Sequence, residues 1–163
     1  MKNRKNPRGF TLVEFLLVMS IFATLAGIAT VNLFGFQNRS QQNSTLNTFT
    51  ADLKDQQAKA MSGDTTGTGT LDNYGIRLDT ANYRYTLFKG TYIATSSANF
   101  SVSYPNTLQI TSTFPNSQII FAKGSGELPS YASASATITI RDTMTNVQKV
   151  LQLNRYGVIS SIN

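Results

Sequence analysis

One carboxylate near the start of the chain lies beside a long apolar stretch, where a charged group is unfavourable. Glu14 opens a strongly apolar stretch, and residues 15–36 that follow it carry no charge. A carboxylate in hydrocarbon costs about 2.5–3.5 kcal/mol even on lenient insertion scales. Such a group persists when a partner charge offsets its desolvation. Glu14 is therefore the first candidate functional residue, and its partner has to be found.

The rest of the composition excludes most catalytic chemistry. The 163 residues include neither cysteine nor histidine, which removes disulfides, Cys or His zinc sites, and Ser-His-Asp or Cys-His catalysis. The few carboxylates are scattered, and no two can be placed together. Asp64, Asp72 and Asp79 fall in predicted loops but lack the spacing of a calcium loop. We therefore expect no enzyme activity, no cofactor and no metal site.

The positive charge of the chain is concentrated at its N-terminus. Four of the fourteen basic residues precede the apolar stretch, and without residues 1–9 the chain carries ten basic and eight acidic side chains. A general nucleic-acid surface needs basic residues clustered where the contact is made. The net charge of +6 is thus weak support for such a surface. The four residues are Lys2, Arg4, Lys5 and Arg8.

The apolar stretch has the length of a membrane span. Residues 15–36 are twenty-two uncharged positions, and about 20 such residues cross a bilayer as a helix. The preceding basic residues place residues 1–9 in the cytoplasm and the chain after about Gln37 outside. The stretch exceeds the 7–15 residues typical of a secretory signal peptide. A plain signal anchor explains the length but leaves Glu14 unexplained.

The N-terminal motif has a specific resemblance. RGFTLVE, residues 8–14, resembles the class III leader of type IV pilins and pseudopilins, in which a short basic leader ends in Gly and Glu is the fifth mature residue. The resemblance extends over residues 8–36. It implies that a prepilin peptidase cuts between Gly9 and Phe10 on the cytoplasmic side and then methylates the new Phe10 amine.

This cleavage supplies the partner that Glu14 lacks. Removal of residues 1–9 creates a positive amine on Phe10, four residues before Glu14. In a helical stack of subunits, the Glu14 carboxylate of one subunit can meet the Phe10 amine of its neighbour. Such a pair favours one axial stagger over others, a role in register more than in stability. Glu14 is therefore predicted to act in assembly.

The polar stretch that follows predicts an amphipathic helix. Over residues 37–61 the apolar positions recur at spacings near three, four and seven, typical of a helix packed on a domain. No proline interrupts residues 10–61, so one continuous helix is expected, with residues 10–36 as its transmembrane or filament-core half. Residues 62–73 are interpreted as a linker. The apolar positions are Leu46, Phe49, Leu53, Ala60 and Met61.

Residues 74–163 predict a β-rich globular head. Thr, Tyr, Ile and Val at period two are typical of half-buried strands, with turns at residues 79–82 and 143–145. Strands are expected at residues 74–78, 83–88, 91–95, 100–104, 108–114, 118–124, 136–142, 146–154 and 155–162. Six aromatic residues are expected in the core, namely Tyr83, Tyr85, Phe88, Phe100, Phe114 and Phe121.

The order of the last strands has a second resemblance. QIIFAKGSGEL, ATITIRD and VQKVLQLNRYGVI, within residues 118–159, are similar to the H-type minor pseudopilins of type II secretion and related minor pilins (the GspH/FimT class). The two resemblances together imply an α+β pilin-like fold. In that fold a long N-terminal α-helix, transmembrane in its first half, packs on a C-terminal antiparallel β-sheet head.

The function expected is that of a structural subunit. The chain is predicted to be held in the cytoplasmic (inner) membrane by one span, with its head outside. It then enters a type IV pilus or type II secretion pseudopilus as a minor subunit. Its partners would be prepilin peptidase, other pilins or pseudopilins and the inner-membrane assembly platform.

Two alternatives stay open. One is a DNA-binding minor pilin for uptake in competence, since some relatives in this class bind DNA near the C-terminus. Its candidate residues are Arg141, Lys149 and Arg155, with Lys123 as a neighbour. The other is a major pilin or adhesin. The Ser, Thr and Asn richness of the exposed region suits an extracellular surface, but it suits any exposed head equally well.

Overall fold

The computed structural model describes residues 9–63, 69–133 and 135–163, without the side chains of residues 29–36. The basic leader residues Lys2, Arg4, Lys5 and Arg8, and also Asp64, lie outside the described residues. The chain divides into two compact units, Met1–Arg39 and Ser40–Asn163. Each unit is described by itself.

A single helix, α1, covers Leu12–Ser62. A capping residue precedes it and a glycine follows it. The Thr11 carbonyl accepts the first helical hydrogen bond from Phe15 N at 3.1 Å, so Thr11 is the N-cap. At the other end Gly63 has φ 69°, the left-handed conformation that glycine adopts after a helix C-terminus. The continuous helix predicted over residues 10–61 is thus found within two residues at each end.

Within the first unit, the described part of α1 carries apolar side chains that are exposed on every side. Residues 9–28 are all exposed, including Phe15, Phe22 and Leu25. Across the described residues we find no helix with both the length and the apolar character needed to span a bilayer. The predicted span at residues 15–36 includes eight positions whose side chains lie outside the description.

The second unit contains the rest of α1 and two four-stranded antiparallel sheets. The prediction of an α+β fold is confirmed, whereas the single sheet expected for the head is in fact two. The first sheet has the order β3-β2-β1-β5, formed by Phe100–Ser103, Arg84–Lys89, Tyr74–Asp79 and Gln118–Phe121. The second has the order β4-β6-β7-β8, formed by Leu108–Ser112, Thr137–Asp142, Gln148–Leu153 and Ile159–Ile162.

The core of this unit forms where α1 packs against both sheets. Phe49 of α1 is fully buried and meets the Tyr85 ring of β2 edge to face, with centroids 5.1 Å apart. Side chains on one face of each sheet complete the core, because alternate strand residues point to the same side. Four of the five predicted helix positions are buried, whereas Met61 is exposed. The buried four are Leu46, Phe49, Leu53 and Ala60.

The predicted turns are present, and short polar side chains hold them. After β1, Thr80–Asn82 forms one 3₁₀ turn, and Asp79 accepts hydrogen bonds there from Asn82 and Arg84. After β6, the buried Asp142 carboxylate accepts from the backbone N–H groups of Met144 and Thr145 at 2.8 and 3.1 Å. The bonds to Asp142 are of the Asx type, in which an aspartate side chain stabilises a turn through backbone N–H groups, whereas Asp79 bonds to side chains.

The strand predicted at residues 91–95 was wrong. This segment forms turns instead, since Ser96 N donates to the Ile93 carbonyl and the Asn99 side chain donates to the same oxygen. The chain folds back over β1 and β2, where Tyr92 stacks on Arg77 and meets the Phe88 ring. Period-two alternation over five residues therefore indicated a strand where local hydrogen bonds favoured turns.

Two of the six predicted core aromatics were also wrong. Tyr83 has φ 50° at the end of the 3₁₀ turn and is exposed, because it belongs to the turn and not to β2. Phe100 lies on the helix-facing side of β3, opposite Leu87, yet it is 66% exposed. Its strand is one of the two outer strands of the sheet, and no further strand of the described chain lies beside it. The other four are buried: Tyr85, Phe88, Phe114 and Phe121.

Candidate functional site

Glu14 lies in a reciprocal capping arrangement at the start of α1. Its Oε2 accepts hydrogen bonds from Thr11 N at 3.0 Å and from Thr11 Oγ1 at 2.9 Å. The Thr11 hydroxyl oxygen in turn accepts from Glu14 N at 3.3 Å. This is a capping box, in which N-cap and N3 side chains satisfy N–H groups that the helix leaves unpaired. Glu14 therefore has a local structural role.

Sequence reasoning missed this second role although its signal was present. Thr followed three residues later by Glu, immediately before an apolar run, is the sequence pattern of a capping box. The signal lies in the pairing of Glu14 with Thr11, not in the charge of Glu14 alone. The two roles are compatible, since a carboxylate oxygen can accept several hydrogen bonds, and the side chain is exposed.

The two residues of the predicted cleavage site are accessible to solvent. Gly9 and Phe10 are exposed and precede the helix, and the Phe10 side chain is 83% exposed. Apart from its neighbours in the chain, no described residue has a heavy atom within 4 Å of the position that a Cβ of Gly9 would occupy. A peptidase needs an accessible peptide bond outside regular structure, so the exposure of Gly9 and Phe10 is compatible with cleavage between these two residues.

The structure separates two of the predicted DNA-binding residues. Lys149 pairs with the buried Ile140 across the β6–β7 ladder and so lies on the face toward α1. There its Nζ donates to Asn43 Oδ1 at 2.9 Å. Arg141 follows Ile140 in β6 and therefore lies on the opposite face, where it donates to the Asn146 side chain.

The remaining basic candidates occupy other places. Arg155 lies in the turn between β7 and β8 and forms an ion pair with Glu127 at 3.4 Å. Lys123 is exposed after β5, and its backbone N–H donates to Asn73 Oδ1 at 3.0 Å. The four residues thus do not share one face, and the described residues form no common basic surface from them.

Within the described residues, no group of three or more Asp or Glu side chains could hold a metal ion. The carboxylate of Asp79 is instead bonded to Asn82, with Arg84 beside it. The hydrogen bond from Asn82, assisted by Arg84, holds the pKa of Asp79 below its ordinary value. This carboxylate therefore stabilises its turn.

Comparison with known sequences identifies the N-terminal segment. A family model described as the prokaryotic N-terminal methylation motif matches residues 4–30. No curated protein and no solved structure matches the chain. The motif supports the type IV pilin and pseudopilin family, and with it a structural subunit that is methylated at its N-terminus, processed by prepilin peptidase and assembled with other pilins.

Proposed function

We propose that the chain is a minor pilin or pseudopilin, cleaved between Gly9 and Phe10, methylated on the Phe10 nitrogen and incorporated into a filament. The methylation motif over residues 4–30 is the observation that carries this proposal. The open cleavage position and the apolar helix that follows it fit the same function.

The chemistry of the proposal begins with hydrolysis of the Gly9–Phe10 peptide bond. Water adds to the Gly9 carbonyl carbon, and the leaving nitrogen becomes the amine of Phe10. This amine stays positively charged after methylation and lies near Glu14 in sequence. Between adjacent subunits the two charges set the axial register, because a mismatched stagger leaves each buried without a partner.

The exposed apolar side chains of the first unit support burial in an assembly. Phe15, Phe22 and Ile28 are among many that lie uncovered in the described part of α1. An apolar surface that surrounds a helix is stable when lipid or neighbouring helices cover it. We propose a single membrane span over residues 10–36 before assembly and helix–helix packing afterwards.

The proposed location follows from this order of events. Residues 1–9, with the basic leader, lie in the cytoplasm, and the unit Ser40–Asn163 lies outside the cytoplasmic membrane. Prepilin peptidase, the assembly platform and other pilins are the partners. The strand order after Gln118, similar to the H-type class, favours a minor over a major subunit of a pseudopilus or pilus.

Mass spectrometry of sheared filaments and of membranes tests this function. We expect a peptide that begins at methylated Phe10, at a low ratio to another pilin. Gly9→Val should block processing, since the added side chain obstructs the peptidase at a position that glycine leaves open. An intact leader confined to membranes in the wild-type chain would overturn the proposal, whereas dominance of the peptide would show a major pilin.

DNA binding stays a prediction without structural support. Arg141 and Lys149 lie on opposite faces of their sheet and Arg155 lies in the β7–β8 turn, paired with Glu127, so these three residues do not offer their charges together on one face. If DNA were bound, the affinity would fall steeply with salt, with a slope near −0.9 for each phosphate neutralised. Charge reversal of Arg141 and Arg155 together would then abolish it.

A further inference from the structure

A crevice runs between α1 and the outer strand β3 within the second unit. A cavity of about 230 Å³ lies between α1, at Thr45 and Thr48, and Val102 of β3. A second cavity of about 640 Å³ follows between Gln56 of α1 and Phe100. The two cavities adjoin successive parts of the same helix and the same strand. We call them together the α1–β3 crevice.

The outer edge of β3 offers backbone groups for pairing. Tyr104 N bonds to the Tyr83 carbonyl at 2.9 Å, and hydrogen-bonded pairs alternate along an antiparallel ladder. The N–H and C=O groups of Ser101 and Ser103 therefore point away from β2. Both residues are exposed, and β3 is the last strand of its sheet in the described chain.

A buried polar atom at the larger cavity lacks a partner. Gln56 lines the larger cavity and is only 3% exposed, yet its Oε1 has no hydrogen-bond partner among the described residues. A buried acceptor without a bond is destabilising, because it has given up its hydrogen bonds to water without replacement. An occupant that donates a hydrogen bond to this oxygen removes that cost.

The charges along the larger cavity favour an uncharged occupant. Two carboxylates and two amines line it, so the lining has no net charge. The acids are already engaged, since Asp55 pairs with Lys59 at 2.7 Å and Asp52 accepts from the Tyr85 hydroxyl. The sheet side offers apolar surface from Leu87 and Phe100. The fourth charged residue is Lys89.

We propose that the α1–β3 crevice binds an extended, uncharged peptide segment of another protein. The segment pairs with the free edge of β3, and its alternate side chains point toward α1. Large apolar side chains contact Phe100 and Leu87, and one N–H or O–H group donates to Gln56 Oε1. Addition of a strand to an exposed sheet edge derives affinity from the main chain and specificity from side-chain pockets.

Selection from a phage library tests this proposal. The immobilised protein is the full chain in detergent, and the probe is random linear peptides longer than a strand of about five residues. We expect enriched peptides in which uncharged large apolar residues alternate. Fluorescence anisotropy then gives the affinity of a synthetic selected peptide. Enrichment of no peptide, or of charged ones only, would overturn the proposal.

A matched pair of variants isolates the edge of β3. Ser101→Pro removes the outward N–H without removing a backbone hydrogen bond to β2, and should weaken binding of the selected peptide at least about tenfold. Like Ser101→Ala, it also removes the hydroxyl bond to Thr86 of β2, so the two variants differ at the backbone N–H. Ser101→Ala keeps that N–H and should keep the wild-type affinity. Equal affinity in both would contradict strand addition. If the wild-type chain dimerises and Ser101→Pro abolishes the dimer, the occupant is a second copy of this chain and not another protein.

Two further variants keep the test decisive if Ser101→Pro does not fold. Phe100→Asp places a charge on an exposed side chain at the crevice and should abolish binding, whereas Tyr156→Asp, also at an exposed aromatic, should not. Gln56→Met removes the unpartnered acceptor at similar volume, so binding should weaken while thermal stability is kept or raised. Unchanged binding by Phe100→Asp and Gln56→Met would overturn the proposal.

This inference goes beyond the assembly role, because the crevice belongs to Ser40–Asn163 and the methylation motif to residues 4–30. Peptide affinity is measured on the purified chain, and processing is measured from its N-terminal peptide. A negative result for peptide binding therefore does not contradict the proposed processing, and a negative result for processing does not contradict peptide binding.

Discussion

At the scale of single residues, Glu14 combines a capping role and a proposed charge-pairing role, and substitutions in the same motif can separate them. Its carboxylate accepts hydrogen bonds from Thr11, a capping function that glutamine can also perform. Its charge is needed for the proposed pair with the amine of Phe10. A neutral side chain of the same shape therefore preserves the cap and removes the pair.

We expect Glu14→Gln to be cleaved normally but to enter filaments poorly. In the filament, loss of one partner from this ion pair would leave the other charge without compensation, which is strongly destabilising. Thr11→Ala weakens the cap by about 1 kcal/mol but keeps the charge, so it should still assemble. Quantitative immunoblots of sheared filaments and membranes measure both variants. Assembly lost in Thr11→Ala and kept in Glu14→Gln would assign Glu14 to capping alone.

At the scale of elements, the β1–β2 connection shows how a short polar cluster determines a turn. The Asp79 side chain accepts from Asn82 at 2.9 Å and from Arg84 at 3.0 Å. Tyr83 then takes the left-handed conformation that brings the chain into β2. The same conformation removes Tyr83 from the alternation of β2, which is why this residue is exposed.

The lowered pKa of Asp79 predicts a pH-dependent contribution to stability. A carboxyl whose folded pKa lies below its unfolded value of about 3.9 stabilises the fold above that pH. The contribution is lost as the pH falls through the folded pKa. Asp79→Asn should therefore destabilise the chain at neutral pH, and the difference should vanish in acid. Urea unfolding of both proteins over a pH series measures it; a difference independent of pH would contradict the prediction.

At the scale of the whole molecule, the second unit depends on one face of α1 that contacts both sheets. Gln42 is buried and donates to the carbonyls of Ile140 and Val147 at 3.3 and 3.1 Å. Phe49 contacts Tyr85 of the other sheet. Since the sheets share the helix as their packing surface, a cavity made there should weaken the unit as a whole.

Phe49→Ala should lower the free energy of unfolding by about 3–5 kcal/mol, because a fully buried aromatic side chain is lost without a replacement. Lys54→Ala, at an exposed position of the same helix, should change it by less than about 0.5 kcal/mol. Circular dichroism during denaturant unfolding measures both. A small effect of Phe49→Ala would show that α1 contributes little to the core.

Sequence by itself determined those features that depend on neighbouring residues. The long helix follows from apolar spacing and the absence of proline, the turns from Asp79 and Asp142, and the methylation motif from residues 4–30. These are local interactions, so a short window of sequence contains their physical causes. The segment at residues 91–95 is the exception, where five residues suited a strand and a turn equally.

Only the tertiary structure decided which distant residues meet. It divided the strands between two sheets and placed Arg141 and Lys149 on opposite faces. It also left Phe100 uncovered and the Oε1 atom of the buried Gln56 without a hydrogen-bond partner among the described residues. Alternation in sequence tells which side of a strand a residue occupies, but not whether another element covers that side. Strand order and helix placement determine this cover, and they arise from contacts between residues far apart in the chain.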